Sequence, residues 1–273
     1  MKHKISQLAS LLFILILFGL VVFPFLWMIL SSFKESAAII TWPPKLWPRE
    51  WTHMNYVRVW TSIPLLRFIL NTSVFTVGVV ILSLFFDSLA GYAFARFDFK
   101  WKKQLFSLVL VTMMVPFQVL MIPLFVQEFK MGILNSFAGL ILPRATSAFG
   151  IFLMRSFFMT LPKELEESGR IDGMSEMRIY WSIMLPISVP GLITLGVILF
   201  VNNWNDLIYP LMLTNSTDMR VLSAGLAMFV GDKVIEYGPI LSATMISVLP
   251  LIVIFISLQK YFVEGISTTG MKG

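Results

Sequence analysis

The chain has 273 residues, 57% hydrophobic and 13% charged, with a formal net charge of +6 and a mean hydropathy of +0.83. Soluble globular domains are about 45–50% apolar and about 25% charged, so a soluble enzyme with one core is excluded, and so is a disordered chain. There are no Cys and only two His, His3 and His53, which removes disulfide frameworks, Cys-ligated zinc, iron–sulfur clusters and thiol nucleophiles and argues against a His-based metal site.

Spanning the hydrocarbon takes about 20 apolar residues as a helix. Charge-free runs lie between Lys4 and Lys34, Arg67 and Asp87, Lys103 and Glu128, Arg178 and Asp206, and Glu236 and Lys260. A sixth apolar segment, Phe137 to Phe158, contains Arg144 and Arg155. Six helices are expected, at about 8–30, 68–90, 104–126, 136–158, 183–206 and 238–260. The first has a basic flank (Lys2, His3, Lys4), but its apolar run exceeds the 7–15 residues of a signal h-region, so it is expected to be retained.

Excess Lys and Arg in such a chain sets orientation rather than binding nucleic acid. With the N-terminus in the cytoplasm, the 91–104 loop (Arg96, Lys100, Lys102, Lys103) is cytoplasmic, as are the 155–181 loop and the C-terminus. The 127–135 and 207–237 loops then face outside, the latter slightly acidic (Asp218, Asp232, Glu236 against Arg220, Lys233). The 31–67 loop fits less well, because it would lie outside while holding Lys34, Lys45, Arg49, Arg58 and Arg67. Its Trp and Pro (Trp42-Pro43-Pro44, Trp47-Pro48, Trp51) suit the membrane–water interface.

No phosphate-binding G-x-x-x-x-G-K-[ST] loop, H-E-x-x-H or G-x-S-x-G is present, so any transport energy comes from a partner. Asp87 is the one acid well inside an expected span, near the end of the second helix. It is expected to be interfacial or bonded to backbone, with a proton-relay role as the alternative.

The most informative stretch runs from Leu161 to Pro186. Pro162 is placed at a helix start, acids fill the first turn, and Gly173 is suited to a left-handed C-cap. Gly169 inside that helix costs up to about 1 kcal/mol relative to Ala. A second short helix follows, in which Met177, Tyr180, Trp181 and Met184 form an apolar stripe at helical spacing. The result is a knob projecting from the membrane, read either as a plain helical hairpin or as a docking element.

The spacing Glu167, then Gly173, then Ile183-x-Leu185-Pro186, with Asp172 before the glycine, resembles the EAA loop of permease subunits in binding-protein-dependent ABC importers. Ser168 and Gly169 depart from the two Ala positions, and Met174 stands where a small residue is usual. Gly91-Tyr92-Ala93-Phe94-Ala95-Arg96-Phe97 resembles the loop after the second helix in the carbohydrate (MalG-like) branch. Trp204-Asn205-Asp206 through Leu211, and the ending Gln259 to Gly273, resemble that branch too.

The resemblance implies an all-α integral membrane protein with six transmembrane helices and the type I ABC importer permease fold. Residues 1–67 would hold the first helix and an extracytoplasmic segment, and 68–273 a five-helix core with the coupling loop at about 161–186. It implies a sugar importer in the inner (plasma) membrane, with both termini cytoplasmic. The partners would be a MalF-like second permease, two ATPase subunits and an extracytoplasmic sugar-binding protein, in membrane lipid. The chain itself would carry no cofactor, because ATP and Mg sit on the ATPase. Glu167 would contact a basic group there, Gly173 would permit the corner, and Met174, Met177 and Ile179 would give apolar contact, with Asp172, Ile183 and Pro186 completing the motif.

Arg144 follows Pro143 and is either interfacial or a cavity-facing donor to sugar hydroxyls. Asn202, Asn203, Trp204 and Asn205 form either a sugar path or an aromatic belt with helix capping. The 209–237 loop is a solvated loop or a reach into the binding protein. Gly265 to Gly273 is expected to be a flexible tail, and the 17 Met are packing filler. The alternatives are an importer of a non-sugar solute, an ion-coupled carrier, for which inverted repeats are lacking, and a membrane enzyme, for which no catalytic set is present.

Overall fold

The computed structural model describes residues 2–229 and 235–270, except for the side chains of 2–6, 8, 9 and 260–270. Among the described residues, three helices are long and apolar enough to cross a membrane alone, and three further pairs qualify if each bent pair counts as one span, giving six. They sort into two compact units, residues 1–66 with 225–250, and residues 67–224 with 251–273.

In the first unit, α1 (Lys2–Ser32) is apolar around its whole circumference, and Leu11 to Phe18 are all exposed. Its backbone groups bond within the helix, which suits it to hydrocarbon. After it come α2 (Ser36–Ile39) and α3 (Met54–Ser62). Buried Asn55 ties them back by donating to the carbonyls of Ser32 (2.8 Å) and Lys34 (2.7 Å). The Lys34 ammonium is buried too. It donates to the Lys45 carbonyl (2.6 Å) and lies over the Trp27 ring, and burial pushes its pKa down. Arg58 pairs with Glu236 (2.5 Å). The misfit of this basic segment thus has a physical basis, because part of its charge is matched inside the chain.

The second unit is organised on α4 (Leu65–Arg96), which runs past the expected end of the second span. The Gly91–Arg96 motif is therefore the last turns of a helix and not a loop. Next come α5 (Lys102–Thr112) and α6 (Phe117–Met131), bent by 96° about Met113–Pro116. The short α7 (Phe137–Ile141), a 3₁₀ turn (Leu142–Arg144) and α8 (Ala148–Thr160) form the second bent pair, at 45°. The spans expected at 104–126 and 136–158 are thus each broken.

Then follow α9 (Glu164–Ile171), α10 (Glu176–Ile179), a π turn (Tyr180–Met184), α11 (Leu185–Ile187) and α12 (Val189–Trp204). A 75° bend separates the 176–187 arm from α12, so Ile183 belongs to the arm and not to the span. Pro186 and Pro190 flank the bend and lack the N–H donors that would continue the ladder. The Ser188 hydroxyl donates to the Met184 carbonyl (2.7 Å) there.

The chain continues through α13 (Ile208–Leu213), α14 (Leu222–Leu226), a 3₁₀ turn (Ala227–Phe229) and α15 (Tyr237–Gly270). Tyr209, Leu213, Val221 and Ala224 are buried with Phe75, Val79 and Leu140, so both ends of the 209–224 segment pack in a core, while Asn215, Thr217 and Asp218 between them are exposed. The expected tail from Gly265 is helical as far as Gly270. Asp232, Lys233 and residues 271–273 lie outside the described residues.

Backbone at a broken span must be satisfied by protein, because hydrocarbon offers no partner. Asp87, fully buried on α4, does this for α8. Its carboxylate accepts from the Thr146 hydroxyl (2.6 Å) and from the backbone N–H and hydroxyl of Ser147 (2.9 and 3.0 Å). Ser147 in turn accepts from the Gly150 N–H (2.9 Å) as the N-cap of α8. A Cβ on Gly150 would come within 1.9 Å of the Asp87 carboxylate, so only glycine leaves room for this contact. Asp87→Leu strips three donors of their acceptor and should destabilise the second unit by about 1–3 kcal/mol. Thermal melting in detergent micelles should fall by several degrees, and Gly150→Ala should behave alike.

Candidate functional site

Two polar assemblies stand out in the second unit. The first is the loop from Leu161 to Pro186. Its helix α9 starts at Glu164, with Pro162 just outside it and Glu164, Glu166 and Glu167 in the first turn. It ends in a full Schellman motif. The Met174 N–H donates to the Gly169 carbonyl (2.9 Å) and the Gly173 N–H to the Arg170 carbonyl (3.1 Å), with Gly173 at φ +75°. The left-handed cap expected from sequence is therefore present. No atom crowds Gly173, so its requirement is backbone conformation alone.

Gly169 answers a different demand. It is buried, and a Cβ there would sit 3.0 Å from Ile179 and 3.1 Å from Ile183. The glycine brings α9 tightly onto the returning arm, which compensates for its poor helix propensity. In that arm the π turn shifts the register, so the expected apolar stripe divides. Tyr180 and Met184 turn inward with Ile179 and join Tyr92, Met154 and Phe158 in one core, while Met177 and Trp181 stay exposed.

The motif residues therefore fall into two sets. Glu167, Asp172, Gly173, Met177 and Pro186 are exposed on the knob. Met174 and Ile183 are half-buried against the core, and Ile179 is fully buried in it. As an apolar contact for a partner, Ile179 is corrected: its side chain is spent within the chain.

Sequence reasoning missed the ionic seat of this loop. Glu166 pairs with Arg96 of α4 (2.7 Å) and faces Arg170 (3.4 Å), and Arg170 forks onto Glu176 (2.7 and 3.1 Å). Burial pushes the Glu166 carboxyl up against the opposing pull of Arg96 and Arg170, and its bond to Glu176 raises Arg170. The available signal was the buried phase of α9, since Glu166 and Gly169 share one face, whereas the motif draws attention to Glu167.

The second assembly surrounds Arg144, in the turn between α7 and α8. Its guanidinium pairs with Asp206 (2.5 Å), donates to the Asn203 side-chain oxygen (2.8 Å) and lies over Tyr209, 3.9 Å from the ring centroid. Its carbonyl accepts from the Ser83 hydroxyl of α4 (2.9 Å). Phe117, just past the α5–α6 break, flanks the same guanidinium at 5.6 Å. Of the residues expected to line a path, Arg144 and Asn203 meet. Trp204 is buried and stacked on Phe200 (5.3 Å), and Asn202 and Asn205 are exposed elsewhere. Asp206 and Tyr209 were missed. An arginine inside an apolar segment demands an acid, and Asp206 follows the last apolar turn of α12.

Gly173→Ala forces a side chain into the left-handed region and should cost about 1–2 kcal/mol. Gly169→Val should separate α9 from the arm and expose it to trypsin at Arg170. Arg144→Gln alone leaves the Asp206 carboxylate uncompensated and should lower the melting temperature more than Arg144→Gln with Asp206→Asn together.

Residues 87–268 match the family described as binding-protein-dependent transport system inner membrane component. The chain is 35% identical to the arabinooligosaccharides transport system permease protein AraQ of Halalkalibacterium halodurans, over the full length of both. It is 31% identical to the diacetylchitobiose uptake system permease protein NgcG of Streptomyces coelicolor, over 91% of this chain and 83% of that one. The fold is shared with a chain of a bacterial ABC transporter involved in import of the acidic polysaccharide alginate (TM-score 0.84, 22% identity, 96% and 98% of the two chains). With a helical bundle, broken spans and the knob all in place, the chain belongs to the family of inner membrane components of binding-protein-dependent transport systems.

Proposed function

We propose that this chain is a permease subunit of an ATP-driven importer of a carbohydrate. The observation that carries the coupling part of this reading is the knob itself. It has the spacing of Glu167, Gly173, Ile183, Leu185 and Pro186, a rigid glycine corner, and a base anchored in the membrane-spanning core. The carbohydrate part is supported by what the named relatives transport, arabinooligosaccharides and diacetylchitobiose.

On this reading the knob lies in the cytoplasm and seats in an ATPase that holds ATP and Mg. Exposed Glu167 supplies a charge-assisted contact, and exposed Met177 and Trp181 supply apolar area. Closure of two ATPase subunits moves the knob as a rigid body and flips the access of a cavity shared with a second permease. A binding protein outside delivers the sugar. The Arg144–Asp206–Asn203 cluster is this chain's polar surface for such a path. Its cation is already matched by Asp206, which favours hydroxyl-rich neutral solutes over anions. An ion-coupled carrier is less favoured, because the Asp87 carboxylate is engaged by Thr146 and Ser147 ahead of α8.

The test is a pull-down of the tagged chain from detergent-solubilised membranes, expressed with its neighbouring genes. An ATPase and a second permease should co-purify with wild type. The ATPase alone should be lost from the Glu167→Lys, Gly173→Asp variant. If no ATPase is captured and solute uptake persists without ATP, the reading is overturned.

A further inference from the structure

The α4 helix carries two polar stripes at four-residue spacing, and neither belongs to the EAA motif. Ser83, Asp87 and Gly91 face the broken span. Ser83 donates to the Arg144 carbonyl and Asp87 holds Ser147, the N-cap of α8, while a Cβ on Gly91 would meet the α8 backbone at Arg155 N, 2.8 Å away. Ser88, Tyr92 and Arg96 face the knob. Ser88 bonds the Tyr180 hydroxyl (2.7 Å), Tyr92 packs on Tyr180 and Phe158, and Arg96 pairs with Glu166. Arg96 also donates through Nη2 to the Leu161 carbonyl (2.7 Å), where α8 ends. From Ser83 to Arg96 the helix rises about 20 Å at 1.5 Å per residue.

We propose that Arg96 is a positioning residue for coupling. Its buried pairing with Glu166 locks α9 to the end of α4, so that movement of the knob is delivered through α4 to the Arg144 turn. The side chains are 5% and 4% exposed, so the pair is shielded from water and salt, and Arg170, the other cation facing Glu166, is more exposed and already committed to Glu176. Arg96 meets two groups at once, the Glu166 carboxylate in an ion pair through Nε and the Leu161 carbonyl just past the end of α8 through Nη2, and a guanidinium presents both nitrogens in one rigid plane where an ammonium presents a single point. A knob that docked but was not locked to α4 would receive the ATPase stroke and fail to pass it on. This inference rests on the importer reading above.

The experiment uses the whole complex in proteoliposomes, with uptake and ATP hydrolysis each measured per assembled transporter. The variants are Arg96→Gln, Arg96→Lys, Glu166→Gln and the Arg96→Gln, Glu166→Gln double. Arg96→Gln should lower uptake at least tenfold while hydrolysis stays within about twofold and no longer responds to substrate-loaded binding protein. Arg96→Lys should recover part of the uptake. The double variant, which removes both buried charges, should fold if Arg96→Gln does not, and should be no worse in uptake than either single change. A parallel fall of uptake and hydrolysis in the double variant, or unchanged uptake in any Arg96 variant, overturns the proposal. A wild-type chain that captures no ATPase fails at an earlier step, and that outcome overturns the importer reading together with the proposal.

Discussion

The polar groups that seat the knob and the Arg144 turn answer to one constraint: charges and irregular backbone taken into apolar surroundings are met by protein. Helix α4 is where most of them are met. Its side chains receive the α8 terminus at Asp87, the Arg144 carbonyl at Ser83 and the Glu166 carboxylate at Arg96. These contacts need close approach, and the glycines supply it. Gly91 admits the α8 backbone to α4 and Gly150 admits the Asp87 carboxylate, so the small residues and the polar residues form one design.

The bends have equally local causes. Pro116, Pro143, Pro186 and Pro190 each lie at or beside a break, and each lacks a donor that a continuous helix would use. Breaking the spans brings three chain segments to one guanidinium: Phe117 after the first break, Arg144 in the second, and Asn203 with Asp206 at the end of α12. A straight-helix bundle would have kept these residues apart. In transporters, discontinuous helices are where backbone and side-chain polarity become available to a solute, which gives the Arg144 cluster its interest.

The knob joins both themes. Its outward face is built from the motif residues Glu167, Asp172 and Gly173 with exposed Met177, and its inward face from Glu166, Gly169, Ile179 and Tyr180. The outward face suits recognition, and the inward face suits rigidity. The π turn assigns residues to one or the other by shifting the register between Ile179 and Leu185.

Much of this was legible in the residues. Apolar length and scarce charge set an all-helical membrane chain with six candidate spans, Gly173 announced its left-handed cap, and Asp87 was expected at the interface or on backbone, of which the backbone bond is what the fold shows. Pro143 beside Arg144 hinted that its helix starts late, as it does at Ala148. What stayed hidden depends on contacts remote in sequence. Arg96 was counted as a loop charge because the helix carrying it ends only when Leu161 and Glu166 arrive to receive it. Lys34 and Arg58 were counted only as basic residues of a loop expected outside, because the Lys45 carbonyl and the Glu236 carboxylate are joined to them only by folding. Ile179 was placed at a partner surface by the family resemblance, whereas its packing against the core takes its side chain inside. By itself, then, the sequence determined composition-driven properties: class, span number and the local chemistry of the knob. Register, pairing and which side of each helix is spent internally were decided by tertiary structure, because those outcomes depend on which distant group removes a buried charge or an open carbonyl from its unsatisfied state.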